Sequence, residues 1–166
     1  YYEIAHQKYT GTEIFGMGLT SFNSGKIYVI QKKYSKALEY YNKALDKFIA
    51  SKSLYYVGST YLEIGKLYYN FSFDNEKEKR DKLNLAIKNL KKAIHVFTED
   101  KLFNQVNECN SELSKTYEEI GEYKLALDTY KEYVKIDETI LTYQEENREA
   151  ELKTQREFEI KNSQKE

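Results

Sequence analysis

Proline does not occur anywhere in this chain of 166 residues. At the usual frequency of roughly 5 %, a chain of this length carries about eight prolines. Because proline interrupts helix interiors and is typical of loops, its absence favours helices joined by very short turns. Glycine, the other residue typical of turns, occurs only seven times. The composition therefore predicts an all-α protein.

Cysteine occurs only once, and long apolar runs and an excess of one charge are missing. The single Cys109 excludes an intramolecular disulfide and a multi-cysteine metal site. No apolar run approaches the roughly 18 residues of a transmembrane helix, and the mean hydropathy is −0.78. With 26 basic and 27 acidic residues the net charge is −1, so no nucleic-acid partner is expected. We expect the chain to be a fragment because it begins at Tyr1, and any membrane contact to lie in segments outside it.

Aromatic residues are abundant, and short strings of sequence recur. The 17 tyrosines and eight phenylalanines indicate a packed core rather than disorder. The string Gly25-Lys26-Ile27-Tyr28 returns 40 residues later at 65–68 and 49 residues after that at 114–117. A second, ten-residue string recurs with the two spacings in the opposite order, at 36–45, 85–94 and 125–134. The chain is therefore a repeat protein.

One insertion explains why the two spacings differ. The interval from tyrosine to alanine is nine residues between Tyr28 and Ala37, but 18 residues between Tyr68 and Ala86. The period is therefore 40 residues, and the middle repeat carries a nine-residue insertion within 71–82. Its charged sequence predicts a loop or a helix extension at the edge of the fold, because burying those charges in a core is costly.

Each period holds two amphipathic helices, with apolar or small residues at helical spacing. The small residues predict where the two helices meet. Gly25 opposite Ala37, and Gly65 opposite Ala86, allow two helix axes to approach to the short end of the usual range of roughly 8–10 Å. The tyrosines are expected to fill the gaps between adjacent pairs.

The repeat resembles the tetratricopeptide (TPR) pattern. That pattern has a small residue, a tyrosine three positions on, an alanine nine later, an aromatic residue four further and an alanine three beyond, and residues 25–44 match it throughout. The second repeat has Leu90 in place of the aromatic residue, and the third has Tyr133 in place of the last alanine. The resemblance implies an α-solenoid of antiparallel helix pairs over residues 1–137, which begins with a partial repeat at 1–13.

The C-terminal segment, residues 138–166, is charged and is predicted to form an extended helix or linker. It resembles the junction that follows the TPR array in bacterial sensor histidine kinases and helix-turn-helix regulators. That resemblance implies a signalling protein, on the periplasmic side of a membrane if it is a membrane-bound sensor and otherwise in the cytoplasm. The alternative is a solvated terminal helix. Its scattered apolar residues also predict a weak homodimer through this segment.

Neither catalysis nor the binding of a metal or cofactor is expected of this chain. Its only histidines, His6 and His95, lie far apart in the sequence, and Cys109 has no recognisable nucleophile setting. The pattern predicts no enzyme, no cofactor and no metal. Two functions remain: the sensing or interaction region of a bacterial signal-transduction protein, or a free-standing scaffold that assembles protein complexes.

The predicted binding site is a groove for a protein or peptide. In TPR arrays the first helices of successive pairs line the concave surface, so three lysines at one repeat position are expected to form a ladder that grips carboxylates. The expected contacts are Phe22, Lys26, Val29, Leu62, Lys66, Tyr69 and Lys115. The alternative is local pairing, because Glu63 precedes Lys66 by three residues and Glu112 precedes Lys115 by three.

Overall fold

A computed structural model describes the backbone of residues 2–163 and the side chains of residues 11–160. Six helices follow one another, and the described residues contain no strand. The helices are α1 (Tyr2–Ile30), α2 (Tyr34–Ala50), α3 (Leu54–Tyr69), α4 (Glu76–Glu99), α5 (Phe103–Glu119) and α6 (Tyr123–Ser163). Three antiparallel pairs, α1·α2, α3·α4 and α5·α6, stack through α2·α3 and α4·α5 contacts. The predicted all-α solenoid is confirmed.

The core lies between the helices of each pair and at the joints between pairs. The alanines of the second helices, Ala37 and Ala44 in α2 and Ala86 and Ala93 in α4, are fully buried. Large side chains from the same faces complete three apolar clusters along the stack. Small and large residues alternate here because the backbones approach closely at the alanines and leave room for rings between them.

The glycines of the first helices receive side chains of the second helices. A Cβ atom placed on Gly25 would lie 2.6 Å from the ring of Tyr41, and one on Gly65 would lie 2.8 Å from Cγ of Leu90. The sequence predicted Ala37 and Ala86 as the residues opposite these glycines. The Ala86 carbonyl oxygen does lie 3.4 Å from that position on Gly65, but the side chain one turn later fills the space.

In the third helix pair, α5·α6, no glycine of the first helix receives a side chain of the second helix in this way. Gly58 receives the ring of Phe97, 2.6 Å from its hypothetical Cβ, and the equivalent residues one repeat later are Asn107 and Asp137. There the Asn107 amide donates a hydrogen bond to Oδ1 of Asp137 at 3.2 Å. Oδ1 of Asn107 is buried and accepts no hydrogen bond from a described residue. The α5·α6 interface is therefore more polar than the other two.

Four of the five turns between helices contain one residue with a positive φ. Lys52 between α2 and α3 has φ 55°, and Lys101 between α4 and α5 has φ 56°. The residue at the same repeat position before Ile14 is Thr12. A β-branched residue is strongly disfavoured at positive φ, and α1 continues through this position as one helix from Tyr2. The partial repeat expected at 1–13 is therefore not marked off by a turn.

Replacing Gly121 by alanine is expected to lower the free energy of unfolding by about 1 kcal/mol, because this residue has φ 83° between α5 and α6 and an L-residue is strained there. Gly16→Ala is the matched control. Gly16 lies inside α1 with nothing within 4 Å of its hypothetical Cβ, so alanine should raise stability by about 0.5–1 kcal/mol. Urea unfolding measures whether the free energy of unfolding falls for Gly121→Ala and rises for Gly16→Ala. Equal effects would contradict the assignment of the Gly121 turn.

The insertion of the middle repeat is mostly a helix extension. The α3–α4 connection spans 70–75, and α4 begins at Glu76, which places seven more helical residues before Ala86 than α2 has before Ala37. Phe71 packs against Tyr34 and Tyr68, with ring centroids 5.5 and 5.9 Å apart. The connection before the extension therefore packs on the helices beside it through Phe71.

The extension also reaches the next pair. Lys79 forms an ion pair with Glu119 at the end of α5, and Arg80 lies 3.9 Å from the Glu122 carboxylate. Glu119 is the last residue of α5, and Glu122 lies in the turn that follows it. The insertion therefore bridges the second and third pairs at their edge.

The last helix is the longest, with 41 residues. Its first half packs on α5, whereas all its described side chains from residue 141 onward are exposed. Leu152, Phe158 and Ile160, from the apolar seam expected in this segment, are 44–66 % exposed. No helix within the described part of the chain combines the length and apolarity that crossing a membrane requires.

Candidate binding groove

The first helices of the three pairs, α1, α3 and α5, border one depression. Its volume is about 300 Å³, and it lies between Phe22 and Lys26 of α1, one face of α3, and the N-terminal half of α5. The lining residues are Phe22, Lys26, Tyr55, Tyr56, Ser59, Leu62, Glu63, Phe97, Gln105 and Glu108. Three of the predicted contacts, Phe22, Lys26 and Leu62, thus meet in one place.

Lys66 forms an ion pair that joins two of the first helices, α3 and α5. Its ammonium donates a hydrogen bond to Oε1 of Glu108 on α5 at 2.5 Å. Burial alone would lower the pKa of Lys66, but the Glu108 contact and the nearby Glu63 and Glu112 carboxylates raise it above its ordinary value. Lys66 therefore stays charged and joins α3 to α5.

Lys115 and Lys26 differ from Lys66. Lys115 pairs with Glu112 on its own helix at 2.9 Å, as the local alternative predicted. Lys26 is exposed, its ammonium lies 5.9 Å from the Phe22 ring centroid, and it forms no ion pair with a described carboxylate. Of the three lysines, Lys26 is therefore the one whose charge is left for a partner.

The predicted apolar contacts belong largely to the core. Leu62 is only 5 % exposed and Val29 packs against a buried cluster, so neither side chain offers a ligand much surface. The Phe22 ring packs on Tyr41 and Phe48 at 5.6 and 6.2 Å and keeps only part of its surface open. Tyr69 is half-buried and does not line the depression.

Several residues that line the depression were not predicted from the sequence. Tyr55 and Ser59 lie one helical turn apart on the face of α3 that also carries Leu62, and Gln105 faces them from α5. Tyr55 is 45 % exposed. The available signal was the i, i+4, i+7 spacing from Tyr55 to Leu62, which places all three residues on one helix face.

Glu63 connects the depression to the core. The Tyr41 hydroxyl donates to Oε2 of Glu63 at 3.4 Å, and burial together with this carboxylate raises the pKa of Tyr41. Tyr41 therefore remains a neutral donor at physiological pH. The depression accordingly offers a cation at Lys26, a carboxylate at Glu63 and aromatic surface at Phe22 and Tyr55.

A second depression of about 810 Å³ lies where α6 leaves the stack, between the α4–α5 turn and the middle of α6. Leu102, Phe103, Ile136, Ile140 and Tyr143 give it an apolar lining. It brings together none of the predicted contacts. The described residues also contain no group of three or more metal-binding side chains, and His6 lies outside the residues whose side chains are described.

Cys109 is expected to resist alkylation in the folded protein. The side chain is fully buried, and burial, with the Glu108 charge, raises the pKa of its thiol to about 12. Because the thiolate is the nucleophile, the folded protein should react with iodoacetamide at pH 8 only as fast as it opens. The urea-unfolded chain is the control and should react at the rate of a model thiol. Equal rates in the two states would place Cys109 at the surface.

Comparison with known proteins gives one family. The model of the family described as "Soluble NSF attachment protein, SNAP" matches residues 18–158, which is most of the chain. No curated protein matches this chain. The match covers all three helix pairs and most of α6, and it supports a TPR-like repeat rather than the resemblance to kinase sensor regions.

Proposed function

The chain belongs to the soluble NSF attachment protein family of TPR-like helical repeats, and we propose that it is an adaptor whose groove binds a segment of a partner protein. Domains of this type are generally protein-interaction modules. The observation that carries the proposal is the depression between α1, α3 and α5, with exposed Lys26 and Tyr55 beside Glu63. This depression combines the exposed Lys26 cation with the aromatic surface of Phe22 and Tyr55.

The geometry favours an extended or helical segment that carries an acidic residue and an apolar one. Lys26 would bind the carboxylate, and Phe22 and Tyr55 would contact the apolar side chain. Lys66 contributes indirectly, because its ion pair with Glu108 fixes α3 against α5. Lys115 lies outside the depression.

A displayed library of random peptides, selected on the wild-type protein, provides the test. Lys26→Glu is expected to weaken binding of a selected acidic peptide at least tenfold, through loss of the ion pair and repulsion. Lys88→Glu is the matched control, because Lys88 is exposed on α4 and away from the depression. Equal affinities of the two variants would overturn the assignment of the groove.

The family name identifies one protein to test directly. It describes attachment of NSF by members of the family, and we propose a protein of that kind as the partner of this chain. Purified NSF, titrated against the wild-type chain and the Lys26→Glu variant, would show whether the partner and the groove are both those proposed. Binding that is unaffected by Lys26→Glu would support the adaptor role at another surface.

A sensing role is the second candidate, and α6 is the observation that favours it. This helix leads out of the repeats with its residues exposed from 141 to 160. Amide exchange with and without a bound peptide separates the two functions. A sensor requires that binding changes protection in 141–160, whereas an adaptor requires no change there.

A further inference from the structure

We propose that a depression at the edge of the stack, between the α1–α2 turn and the α3–α4 connection, binds a phosphorylated side chain of a partner protein. This lysine pocket has a volume of about 460 Å³ and is lined by Lys32, Lys33, Tyr34, Ser35, Lys36, Phe71 and Ser72. The proposal rests on the adaptor role for the nature of the partner, but it concerns a different surface from the groove. Both segments that form the pocket connect helices inside the chain.

Charge is distributed unevenly along the chain, although the net charge is only −1. Residues 29–36, around the α1–α2 turn, contain three lysines and no acidic residue. The equivalent residues 118–125, around the α5–α6 turn, contain three acidic residues and one lysine. The two turns therefore have opposite charge.

The acidic turn is neutralised within the chain, whereas the basic turn is not. Two cations of the α4 extension lie against carboxylates of 118–125. The lysines of 29–36 form no ion pair with a carboxylate of the described residues. Glu39, one turn further along α2, already pairs with Lys43 at 2.6 Å. Three positive charges are therefore left for an anion from outside the chain.

The wall opposite the lysines contains no carboxylate. It consists of Phe71 and Ser72 in the α3–α4 connection. Asp74 is the only acidic residue of that connection, and it does not line the pocket. Its backbone N–H donates to Oε2 of Glu78 at 3.1 Å, so the two residues lie against each other at the start of α4. An anion in the pocket would thus meet cations, hydroxyls and aromatic rings.

Aromatic packing holds the two sides of the pocket together. The Phe71 ring lies 5.5 Å from the Tyr34 ring and 5.9 Å from the Tyr68 ring, measured between centroids. The Lys82 ammonium lies 4.7 Å from the Phe71 centroid and adds a fourth cation beside the pocket. Because the connection is fixed against the start of α2, less freedom is lost when a ligand binds.

The donors of the pocket match a phosphate group better than a carboxylate. An ammonium group only donates hydrogen bonds, and the hydroxyls of Ser35 and Ser72 can donate as well. A phosphorylated side chain carries a charge of about −1.5 to −2 and three strong acceptor oxygens. Lysine binds such a group as a point charge. Several ammonium groups can therefore contact one phosphate at the same time.

The surface beside the pocket favours a phosphorylated protein segment over a nucleic acid. A nucleic acid requires cations that continue along its backbone. Here the exposed Glu39 and Asp46 follow the lysines on α2. The positive charge is thus confined to one place, which suits a single phosphorylated residue.

Peptides selected on the wild-type protein from a random phosphoserine library provide the test, with affinity measured by fluorescence anisotropy. A selected peptide is expected to bind at least tenfold more tightly than its unphosphorylated form, and inorganic phosphate should compete with it. Replacing both Lys33 and Lys36 by glutamine should weaken binding at least tenfold. Ser72→Glu, which adds a carboxylate to the opposite wall, replaces this variant if circular dichroism shows that it is unfolded. A selection that yields no phosphorylation-dependent peptide would overturn the proposal.

The matched control replaces Lys88 and Lys91 by glutamine, because both are exposed on α4 and have the same spacing as Lys33 and Lys36. This variant should bind like the wild type, and an equal loss in the two double variants would overturn the site in favour of general charge attraction. Lys26→Gln, in the groove, should also leave binding unchanged, so that failure of either site can be recognised separately. Vesicles of phosphatidylcholine and phosphatidic acid form the last arm. Binding to these vesicles but to no phosphopeptide would indicate a lipid surface and would overturn the proposal.

Discussion

Replacing Phe97 by alanine is expected to lower the free energy of unfolding by about 3–5 kcal/mol, the usual cost of emptying a buried aromatic site. The Phe97 side chain is fully buried and belongs to the core cluster that joins the second and third pairs. Its ring lies against Gly58, which has no side chain of its own to fill the space that the ring leaves. Urea unfolding followed by circular dichroism measures the loss.

Phe103→Ala serves as the matched control for this effect. Phe103 is the same residue type in the next helix, but it is 54 % exposed. Its replacement should change stability by less than about 0.5 kcal/mol, as is usual for surface positions. A loss below about 1 kcal/mol for Phe97→Ala would mean that the joint between the pairs is not packed as described. Because domains of this size are stable by only about 5–15 kcal/mol, the expected loss is a large share of the total.

Gly65→Leu is expected to lower the free energy of unfolding by about 1–3 kcal/mol, the typical cost of overpacking. Any Cβ at this position would lie 2.8 and 2.9 Å from Leu90 Cγ and Cδ2. Leu90 is itself 1 % exposed, so it has no solvent side into which it can turn. The two helices of the middle pair must therefore separate.

The comparison for this variant is Gly16→Leu. A Cβ on Gly16 meets nothing within 4 Å, and leucine is a better helix former than glycine by roughly 0.8 kcal/mol. This substitution should leave the protein as stable as the wild type or slightly more stable. Thermal unfolding of the two variants side by side gives the answer. If Gly65→Leu melted at the wild-type temperature, α3 and α4 would not be in close contact at this point.

The repeat could be predicted from the sequence because its key positions lie close together in the chain and accept few residue types. Only a small residue fits where two helices cross closely, and the alanines at 37, 44, 86 and 93 are all fully buried. The recurring strings that contain them give the 40-residue period once the nine-residue insertion is removed. The partner of Gly25 was predicted one turn away from its true position, because the spacing gives the face but not the rotation of the second helix.

The beginning of the first helix was predicted less well. The sequence predicts a partial repeat at 1–13, and four of the five turns between the helices contain one residue with a positive φ. Lysines fill that role at 52 and 101. Thr12 does not suit it, and α1 is continuous. The low tolerance of Thr12 for positive φ is therefore consistent with a helix that continues through this position.

Of the predicted groove residues, Phe22, Lys26 and Leu62 line one depression, but the ion pairs of the lysines could not all be predicted from the sequence. The sequence offered Glu63 as the local partner of Lys66, whereas the structure pairs Lys66 with Glu108, 42 residues away on α5. That contact depends on how α3 and α5 are rotated toward each other. The same rotation buries Leu62, which the helical pattern of α3 alone could not distinguish from an exposed groove residue.

We expect the polar contact between Asn107 and Asp137 to make the third helix pair the first to open. In the first two pairs an inserted ring must leave apolar surroundings before the helices can separate. In the third pair water can replace the single hydrogen bond between the two side chains. Fraying should therefore begin where α6 lifts from α5 and proceed toward the N-terminus. The amide protons of the third pair would then exchange first, and those of α1 to α4 would persist until the remaining stack opens as a unit.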